Sequence, residues 1–318
     1  MARLYNRALN RLKLRQLSLL VTVGRLGNIQ AAAQAENISQ PAATRMVKDL
    51  EADFDTQLFE RTNRGVIPTA QGAALIRHAQ LIFTQLSNAT QEMEDITEGS
   101  AGRIVVGTLL AGAAQLVPMA VQRVLSERPN VTIRIMEGTN DALMPRVQTG
   151  EVDMVVGRLP HHRHRKGLMQ VPLIHDDVVL VVGRNHPLAG RADLTFDDLR
   201  PYGWILPPPE TTLRRQMDEV FVEAAQYEPP KVVESVNYLS NRTLLGAGEL
   251  IGLVPRTVAA LDMALNVLTR LDYALPFGSG PIGVTHRGDD QLSPAALLFL
   301  LALQEEAEVL NRGRAASS

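Results

Sequence analysis

The chain has 318 residues, of which 45% are hydrophobic and 21% charged, and its formal net charge at pH 7 is -2. This length suits two or three domains, and the composition is that of a globular protein with a sizeable core. Cysteine is absent, which excludes a disulfide framework, thiolate metal ligands and a thiol nucleophile. No run of about 18 apolar residues occurs, so no transmembrane helix is predicted.

The start of the chain is strongly basic. Residues 1–48 carry eight basic side chains and one acid, Glu36. A cationic module on a near-neutral chain indicates a polyanionic partner, although a solvated basic arm would have the same composition. The arm is not followed by the apolar segment of a signal peptide, because Arg15, Gln16 and Arg25 interrupt it. We therefore expect a cytoplasmic protein.

Residues 14–54 predict a helix-turn-helix. The apolar spacing at residues 14–21 indicates a first helix that ends near Gly27. Asn28 can cap a short second helix, and Ser39 can cap a third helix that has a proline in its first turn. Two short helices joined by a tight connection to a third are typical of this DNA-binding motif.

The third helix has an apolar stripe and a polar, cationic start. The stripe follows the spacing i, i+4, i+7, i+11 at Ala43, Val47, Leu50 and Phe54. The other faces carry Gln40, Pro41, Thr44, Arg45 and Lys48. Such a helix enters the DNA major groove by its N-terminal end, where backbone amides also favour phosphate. Asp49 and Glu51 lie at the far end, away from the predicted phosphate contacts.

The segment LFERTNRGVIPT predicts a two-stranded wing after the third helix. Two short strands flank a Thr-Asn-Arg-Gly turn, and Arg61 and Arg64 lie near its tip. An ordinary exposed hairpin could carry the same two arginines. Beside a helix-turn-helix, however, the hairpin indicates a winged DNA-binding domain over residues 1–68.

Residues 14–72 resemble the winged helix-turn-helix of the LysR-type transcriptional regulators. The resemblance is carried by an Ala-Ala pair six residues before Ser-Gln-Pro-Ala, and by the Leu-Phe-Glu-Arg of the wing. One departure is Ile29, where the family often has an aromatic residue after a Gly-Ser pair. The resemblance implies that DNA is contacted by Gln40, Pro41, Thr44 and Arg45 and by Arg64 of the wing. Lys48 and Arg61 complete the candidate DNA-binding set.

Residues 69–97 predict one long helix that contains no proline. Apolar residues recur seven apart in one series and again four residues later, as in a coiled-coil seam. The predicted seam consists of Leu75, Ala79, Ile82, Leu86, Ala89, Met93 and Ile96. The family resemblance implies a linker helix that pairs DNA-binding domains in a homodimer or homotetramer. A helix packed on its own domain is the alternative, and EGSAG at residues 98–102 reads as a flexible hinge.

Residues 103–318 predict an effector-binding domain with two α/β lobes. The strands RIVVG, VTIRIME and VDMVVG alternate with helices at 116–127 and 141–150, which predicts a parallel sheet with helices on both faces. VVLVVG, WIL, KVVESV and LIGLVP form a second series, before PIGVTH returns to the first lobe and a closing helix follows. Lobe I is expected at about 103–175 and 281–318, and lobe II at about 176–280. The resemblance implies a fold like periplasmic binding proteins, with an inducer held between the lobes.

Candidate ligand-binding residues follow strands of these lobes, because ligands of open α/β sheets bind at the carboxyl ends of strands. The candidates are Thr108, Leu109, Thr139, Glu210 and Thr211, with Val236 on the cleft wall. A threonine hydroxyl there can both cap a helix and bind a ligand oxygen, or it can only cap. Small organic acids, other anions and sugar-like compounds fit this chemistry.

The histidine-rich run PHHRHRKG contains His161, His162 and His164, a spacing that suggests a metal site. Three cations crowd these histidines and no acid lies beside them, so we expect an exposed loop and no metal. The sequence also lacks a Gly-x-Ser-x-Gly, a P-loop, a dinucleotide fingerprint and a His-Glu-x-x-His, so neither an enzyme nor a cofactor is predicted.

The sequence thus predicts a ligand-responsive transcriptional regulator. Its expected partners are double-stranded promoter DNA, a small-molecule inducer, further copies of itself and RNA polymerase, and no membrane. Cleft closure would alter lobe packing and shift the spacing of paired DNA-binding domains. A regulator without an inducer, whose C-terminal domain only oligomerises, is the alternative.

Overall fold

A computed structural model describes residues 10–98, 102–159, 167–224, 227–278 and 280–315. The histidine-rich run therefore lies outside the described residues, except for its last glycine. The chain forms two compact units, Met1–Gln91 and Glu92–Ser318.

The first unit begins with three helices, as predicted. They are α1 (Leu14–Leu26), α2 (Ile29–Ala35) and α3 (Gln40–Phe54). The side chain of Asn28 accepts hydrogen bonds from two backbone amides of α2, at 2.8 and 3.1 Å. Ser39 accepts one from the first turn of α3 at 3.4 Å, so both predicted caps are present.

The wing consists of β1 (Phe59–Thr62) and β2 (Gly65–Pro68), which pair antiparallel. Gly65 has a φ of 141° and lies against the end of α1. A Cβ atom at this position would come within 2.2 Å of the carbonyl oxygen of Gly27. The neighbouring amide of Val66 donates to that same oxygen at 2.8 Å. A glycine is therefore required where the wing is joined to the helical core.

The long helix α4 (Ala70–Glu98) corrects the predicted coiled-coil seam. Ala79 is fully buried in the core of the first unit, and Leu75 packs against the same core. Ala79 is therefore packed within the helix's own domain and does not face a second chain, whereas Leu75 is only partly buried. Further along, Ile82, Leu86, Ala89 and Met93 are exposed; the side chain of Ile96 lies outside the described residues.

Over the described residues, sixteen strands and helices of the second unit precede its last strand. Up to the first crossing between lobes they are β3 (Arg103–Thr108), α5 (Leu110–Ala113), α6 (Leu116–Glu127), β4 (Thr132–Glu137), α7 (Asn140–Gln148), β5 (Met154–Arg158) and β6 (Met169–Asp176). After it come β7 (Val178–Gly183), α8 (Phe196–Leu199), β8 (Gly203–Leu206), α9 (Thr212–Glu223), β9 (Val232–Glu234), α10 (Tyr238–Ala247), β10 (Leu250–Pro255), α11 (Arg256–Ala264) and β11 (Leu268–Arg270). The last are β12 (Gly280–His286), a 3-10 turn at Asp289–Gln291 and α12 (Pro294–Ala315).

Two five-stranded sheets divide this unit into two lobes, in the orders β4-β3-β5-β12-β6 and β11-β7-β10-β8-β9. The predicted parallel arrangement is confirmed for β3, β4 and β5, and β8 likewise pairs parallel with β9 and β10. Each sheet as a whole is nevertheless mixed. β12 runs antiparallel to β5 and β6, and β7 runs antiparallel to β10 and β11. β7 and β12 reach their sheets directly from the other lobe, so they are not held to the parallel direction that a helical crossover imposes.

Helices cover both faces of each sheet, as predicted. In lobe I, α6 and α12 pack on one face and α7 on the other. In lobe II, α9 packs on one face, whereas α10 and α11 pack on the other. These layers fix the strand ends that border the cleft between the two lobes.

Candidate DNA-binding and effector-binding sites

The start of α3 presents the predicted DNA-binding side chains on the surface of the first unit. Gln40, Pro41, Arg45 and Lys48 are exposed, and Thr44 is half-buried. The apolar stripe on the opposite face is buried in the core of the unit. No acid lies in the first turn of α3. The helix therefore offers a polar, cationic end with its amides pointing outward, which suits contact with DNA.

Two acids of this unit, Glu36 and Glu51, are engaged in internal hydrogen bonds. Glu36 accepts hydrogen bonds from the hydroxyls of Ser18, at 3.0 Å, and Thr22, at 2.6 Å. Glu51 accepts the backbone amide of Leu58 at 2.9 Å, immediately before the wing. From the sequence alone, the position of Glu51 at the far end of α3 was explained only by the need to keep acids away from phosphate. The structure adds that this carboxylate links α3 to the wing.

The wing carries Arg61 and Arg64 as exposed side chains. Its turn is closed by the hydroxyl of Thr62, which donates to the carbonyl of Gly65 and accepts the amide of Arg64, both at 3.3 Å. The two arginines thus stand on an ordered hairpin that is joined to α1. This is the arrangement that the predicted wing contact requires.

A cavity of about 320 Å³ lies between the lobes of the second unit. Five of the six predicted effector residues line it: Leu109, Thr139, Glu210, Thr211 and Val236. Thr139 is the N-cap residue of α7, and Thr211 caps α9 by accepting the amide of Arg214 at 3.3 Å. The strand-end reasoning therefore placed these residues at the cleft, in a cavity of the size that small molecules occupy.

Thr108 is a correction. Its side chain is 1% exposed and does not line the cavity. The hydroxyl instead lies inside lobe I, where it donates to the carbonyl oxygens of Leu109, at 3.0 Å, and Val156, at 3.3 Å. Successive residues of a strand point to opposite sides, and at the end of β3 the cavity side belongs to Leu109.

Two arginines that were not predicted from the sequence, Arg158 and Arg215, also line the cavity. Arg158 ends β5, and its guanidinium donates to the carbonyl of Asp176 at 3.2 Å. Burial lowers the pKa of Arg158, and the nearby carboxylates of Asp176 and Asp177 partly oppose that effect. Arg215 lies one turn inside α9 and donates to the carbonyl of Glu210 at 3.2 Å. Arg158 could have been found from its place at the end of a strand; Arg215 gave no such signal.

The cavity lining is mixed in charge. Alongside Arg158 and Arg215 it includes three acids, Glu137, Asp141 and Glu210. Apolar walls come from leucine, isoleucine and valine side chains of both lobes. A ligand here would meet hydrogen-bonding groups of both kinds rather than a field of one sign.

Neither a metal-binding cluster nor a membrane-spanning helix occurs in the part of the chain that the structure describes. Within it, no group of three or more histidine and carboxylate side chains could hold a metal ion. No helix of the described segments is long and apolar enough to cross a bilayer.

Comparison with known proteins agrees with this architecture. Residues 14–73 match the bacterial regulatory helix-turn-helix protein, lysR family, and residues 97–308 match the LysR substrate binding domain. The chain belongs to the LysR family. It is a transcriptional regulator with a DNA-binding helix-turn-helix and an effector-binding domain, and LysR regulators bind DNA and small-molecule effectors and form oligomers.

The LysR relatives align along nearly the whole chain. The regulator GbpR of Azospirillum brasilense is 32% identical over 304 residues, which are 95% of this chain and 89% of GbpR. PcaQ of Agrobacterium fabrum is 29% identical over 304 residues, covering 96% of this chain and 98% of PcaQ. These relatives are named transcriptional regulators, not enzymes. The crystal structure of the LysR regulator CbnR has a TM-score of 0.60 at 24% identity, covers 93% of this chain and 99% of CbnR, and supports the fold.

Proposed function

We propose that this LysR regulator binds promoter DNA through the start of α3 and the wing, and that a small molecule in the interlobe cavity controls this binding. The observation that carries the proposal is the cavity itself. It is lined by both lobes and by five residues that strand-end chemistry had predicted independently. A domain that served only for oligomerisation would not need polar groups gathered around an internal space.

The proposed DNA contacts divide into base reading and positioning. Gln40, Thr44 and Arg45 lie on the first turns of α3, which would face base edges in the major groove. Pro41 is exposed beside them. Lys48 lies further along the helix and would contact phosphate. Arg61 and Arg64 would extend the contact from the wing, with Arg64 nearest its tip.

The proposed dimer uses the second half of α4. Ile82, Leu86, Ala89 and Met93 follow the heptad spacing and are exposed, so their burial against a second copy would remove apolar surface from water. Paired chains would present two α3 helices to a two-fold DNA site. A tetramer formed through the effector domains, and contact with RNA polymerase, complete the proposal.

The proposed effector is a small organic acid or another small anionic or hydroxylated metabolite. Its binding would favour a closed arrangement of the lobes, because it contacts both at once. Arg158 lines the cavity and also contacts Asp176, where the chain leaves lobe I for lobe II. Ligand contact at this arginine would therefore act directly on one of the two interlobe crossings.

The DNA-binding part is tested by Arg45→Ala on an operator selected from random duplex DNA by repeated binding to the protein. If Arg45 reads a base, operator binding should weaken by about 1–3 kcal/mol and specificity should relax at one position. Arg77→Ala is the matched control, since Arg77 is an exposed arginine of α4 in the same unit. Equal losses on operator and random DNA would make Arg45 a phosphate contact, and an unchanged affinity would remove α3 from the interface.

A further inference from the structure

Two asparagines that line the cavity, Asn140 and Asn241, have buried side-chain oxygens that lack a hydrogen-bond donor among the described residues. We infer that the effector is a polyhydroxylated compound, a sugar or its corresponding acid, which donates hydroxyl hydrogen bonds to Asn140 and Asn241. The inference rests on the proposed effector role of the cavity and names the class of molecule that fills it.

Asn140 and Asn241 come from opposite lobes. Asn140 is the first residue of α7 in lobe I, and Asn241 lies in α10 of lobe II. Both residues line the cavity, and Asn241 is only 4% exposed. Among the described residues, neither side-chain oxygen has a hydrogen-bond donor, although both oxygens are buried.

A buried acceptor without a donor is costly, so the missing donor is expected from whatever occupies the cavity. A carboxylate has only acceptors and cannot supply it, whereas a hydroxyl group can donate and accept at once. One ligand that donates to both oxygens would join the lobes. The hydroxyls of Thr139, Thr212 and Ser235, which also line the cavity, could meet the remaining ligand oxygens.

The charges of the lining point to the same class. Three acids outnumber the two arginines, and Arg158 already lies near Asp176 and Asp177. An effector made only of carboxylates would therefore gain no net attraction. A diamine could also donate to the two oxygens, but it has no acceptor to offer the two arginines, whereas a hydroxyl group has one. Hydroxyl groups satisfy the acceptors without adding charge, and the apolar walls suit the C–H faces of a sugar ring.

The test is titration calorimetry on the full chain with four sets of compounds. The first holds D-glucose, D-galactose and L-arabinose, and the second holds the aldonate of each sugar. The third holds adipate and benzoate, which lack hydroxyl donors, and the fourth is putrescine. We expect a compound of the first or second set to bind, and the set to which it belongs separates a neutral sugar from a sugar acid. The inference is overturned if neither set binds, or if adipate, benzoate or putrescine binds more tightly.

Variants at Asn140 make the role of the oxygen explicit. Asn140→Leu removes the acceptor and should weaken binding of the hydroxylated compound about 5- to 150-fold. Asn140→Asp keeps acceptors at the first position of a helix, where an acid is favoured, and should change affinity only a few-fold. If a carboxylate group occupied this position, the aspartate would repel it and Asn140→Asp would be the weaker binder, which contradicts the inference.

Two further variants complete the design. Asn241→Leu should weaken the same compound to a similar degree, with thermal unfolding recorded to verify the fold. Gln122→Leu removes an exposed amide on lobe I and should leave affinity unchanged. Equal affinities of wild type and Asn140→Leu would overturn the inference. Operator gel shifts run alongside: if they succeed while the hydroxylated sets fail, only the ligand class is wrong, whereas loss of operator binding by wild type would reject the proposed function itself.

Discussion

The DNA-binding unit and the effector cavity are built in opposite ways. The helices and wing of the first come from one continuous stretch, residues 14–68, whose caps, turn residues and apolar spacing are local signals. The cavity is lined by residues between 109 and 255, brought together by two sheets and two crossings of the chain. A contiguous motif can be read from its own sequence, while a cavity depends on which face of each element the whole fold turns inward.

The helix α4 shows the same contrast on a smaller scale. Its heptad spacing is continuous, but Ala79 lies in the domain core and Leu86, one heptad later, is 47% exposed. Periodicity identifies the apolar face and cannot tell which partner covers it. The boundary between the two halves therefore decides which variants should affect folding and which should affect assembly.

The largest effect is expected from Ala79→Asp. The change places an unpaired charge in a fully buried position, at a cost of about 3–5 kcal/mol, which is a large part of the stability of a small domain. Operator binding should be lost, and the calorimetric transition of the first unit should disappear while that of the effector unit persists.

Ala89→Asp is the matched control, because Ala89 is an exposed alanine on the same helix. It should leave both unfolding transitions in place. If Ala79→Asp unfolded no more readily than Ala89→Asp, the first half of α4 would not belong to the core of the DNA-binding unit.

The next largest effect is expected from lowering the pH, which should destabilise the effector unit more than the DNA-binding unit. Burial lowers the pKa of His186 and of His286, although Glu249 and Asp289 partly oppose the shift at the respective histidine. The folded state disfavours the protonated ring, so each neutral histidine is compatible with full stability of the effector unit above pH 6.5. As the pH falls below 6.5, protonation favours the unfolded chain and the free energy of unfolding decreases. The loss is up to about 1.4 kcal/mol per pH unit for each histidine.

Calorimetry between pH 7.5 and 5.5 measures this difference. The transition of the effector unit should fall with pH more steeply than that of the first unit, whose sequence contains one histidine, the exposed His78. His186→Asn keeps an acceptor close to the amide of Leu188 and cannot be protonated, so it should flatten the slope. If the unfolding temperatures of the two units fell equally with pH, the buried histidines would not be the cause of the effect.

Leu86→Asp should weaken the dimer without unfolding the domain. The side chain is exposed in one chain and is expected to be buried between two, so a charge there should cost about 2 kcal/mol or more, roughly 30-fold in the dimer dissociation constant. Sedimentation across a concentration series measures the change. Gln85→Asp, at the neighbouring exposed position, is the control, and identical sedimentation of the two variants would move the interface elsewhere.

The smallest effect is expected from Thr108→Val. The sequence placed this hydroxyl in the cleft, where its removal would abolish the response to the inducer. The structure places it within lobe I, so the variant should lose about 1 kcal/mol of stability and retain effector affinity. Thr139→Val, at the cavity, should weaken effector binding and leave the stability unchanged. Weakened effector binding by Thr108→Val with unchanged stability would restore the original placement.

Most of the fold was predictable because its signals are local. Caps, turns and strand ends indicated the helix-turn-helix, the wing and five cavity residues. The strand β6 was missed because Pro172 interrupts its pattern, and such a proline is tolerated since β6 lies at a sheet edge where its pairing is irregular. Thr108 was misplaced because a one-residue difference along a strand reverses the direction of a side chain.

The partners of polar groups could not be predicted. Asn140 and Asn241 are 101 positions apart in sequence, and nothing local marks their oxygens as lacking a donor. Likewise, the role of Glu51 in joining α3 to the wing depends on how the chain turns after Phe54. Helix and strand patterns specify which side chains are buried, whereas hydrogen-bond satisfaction depends on the assembled structure.

The central claim is that a ligand between the lobes controls DNA binding by a separate unit. It is tested most directly by footprinting the operator while the compound that binds the cavity is titrated, in wild type and in Asn140→Leu. We expect the protected region to change in wild type as the cavity fills, and the variant to require about 5- to 150-fold more compound for the same change. A footprint that stays the same at saturating compound would contradict the claim and favour an effector domain that only oligomerises.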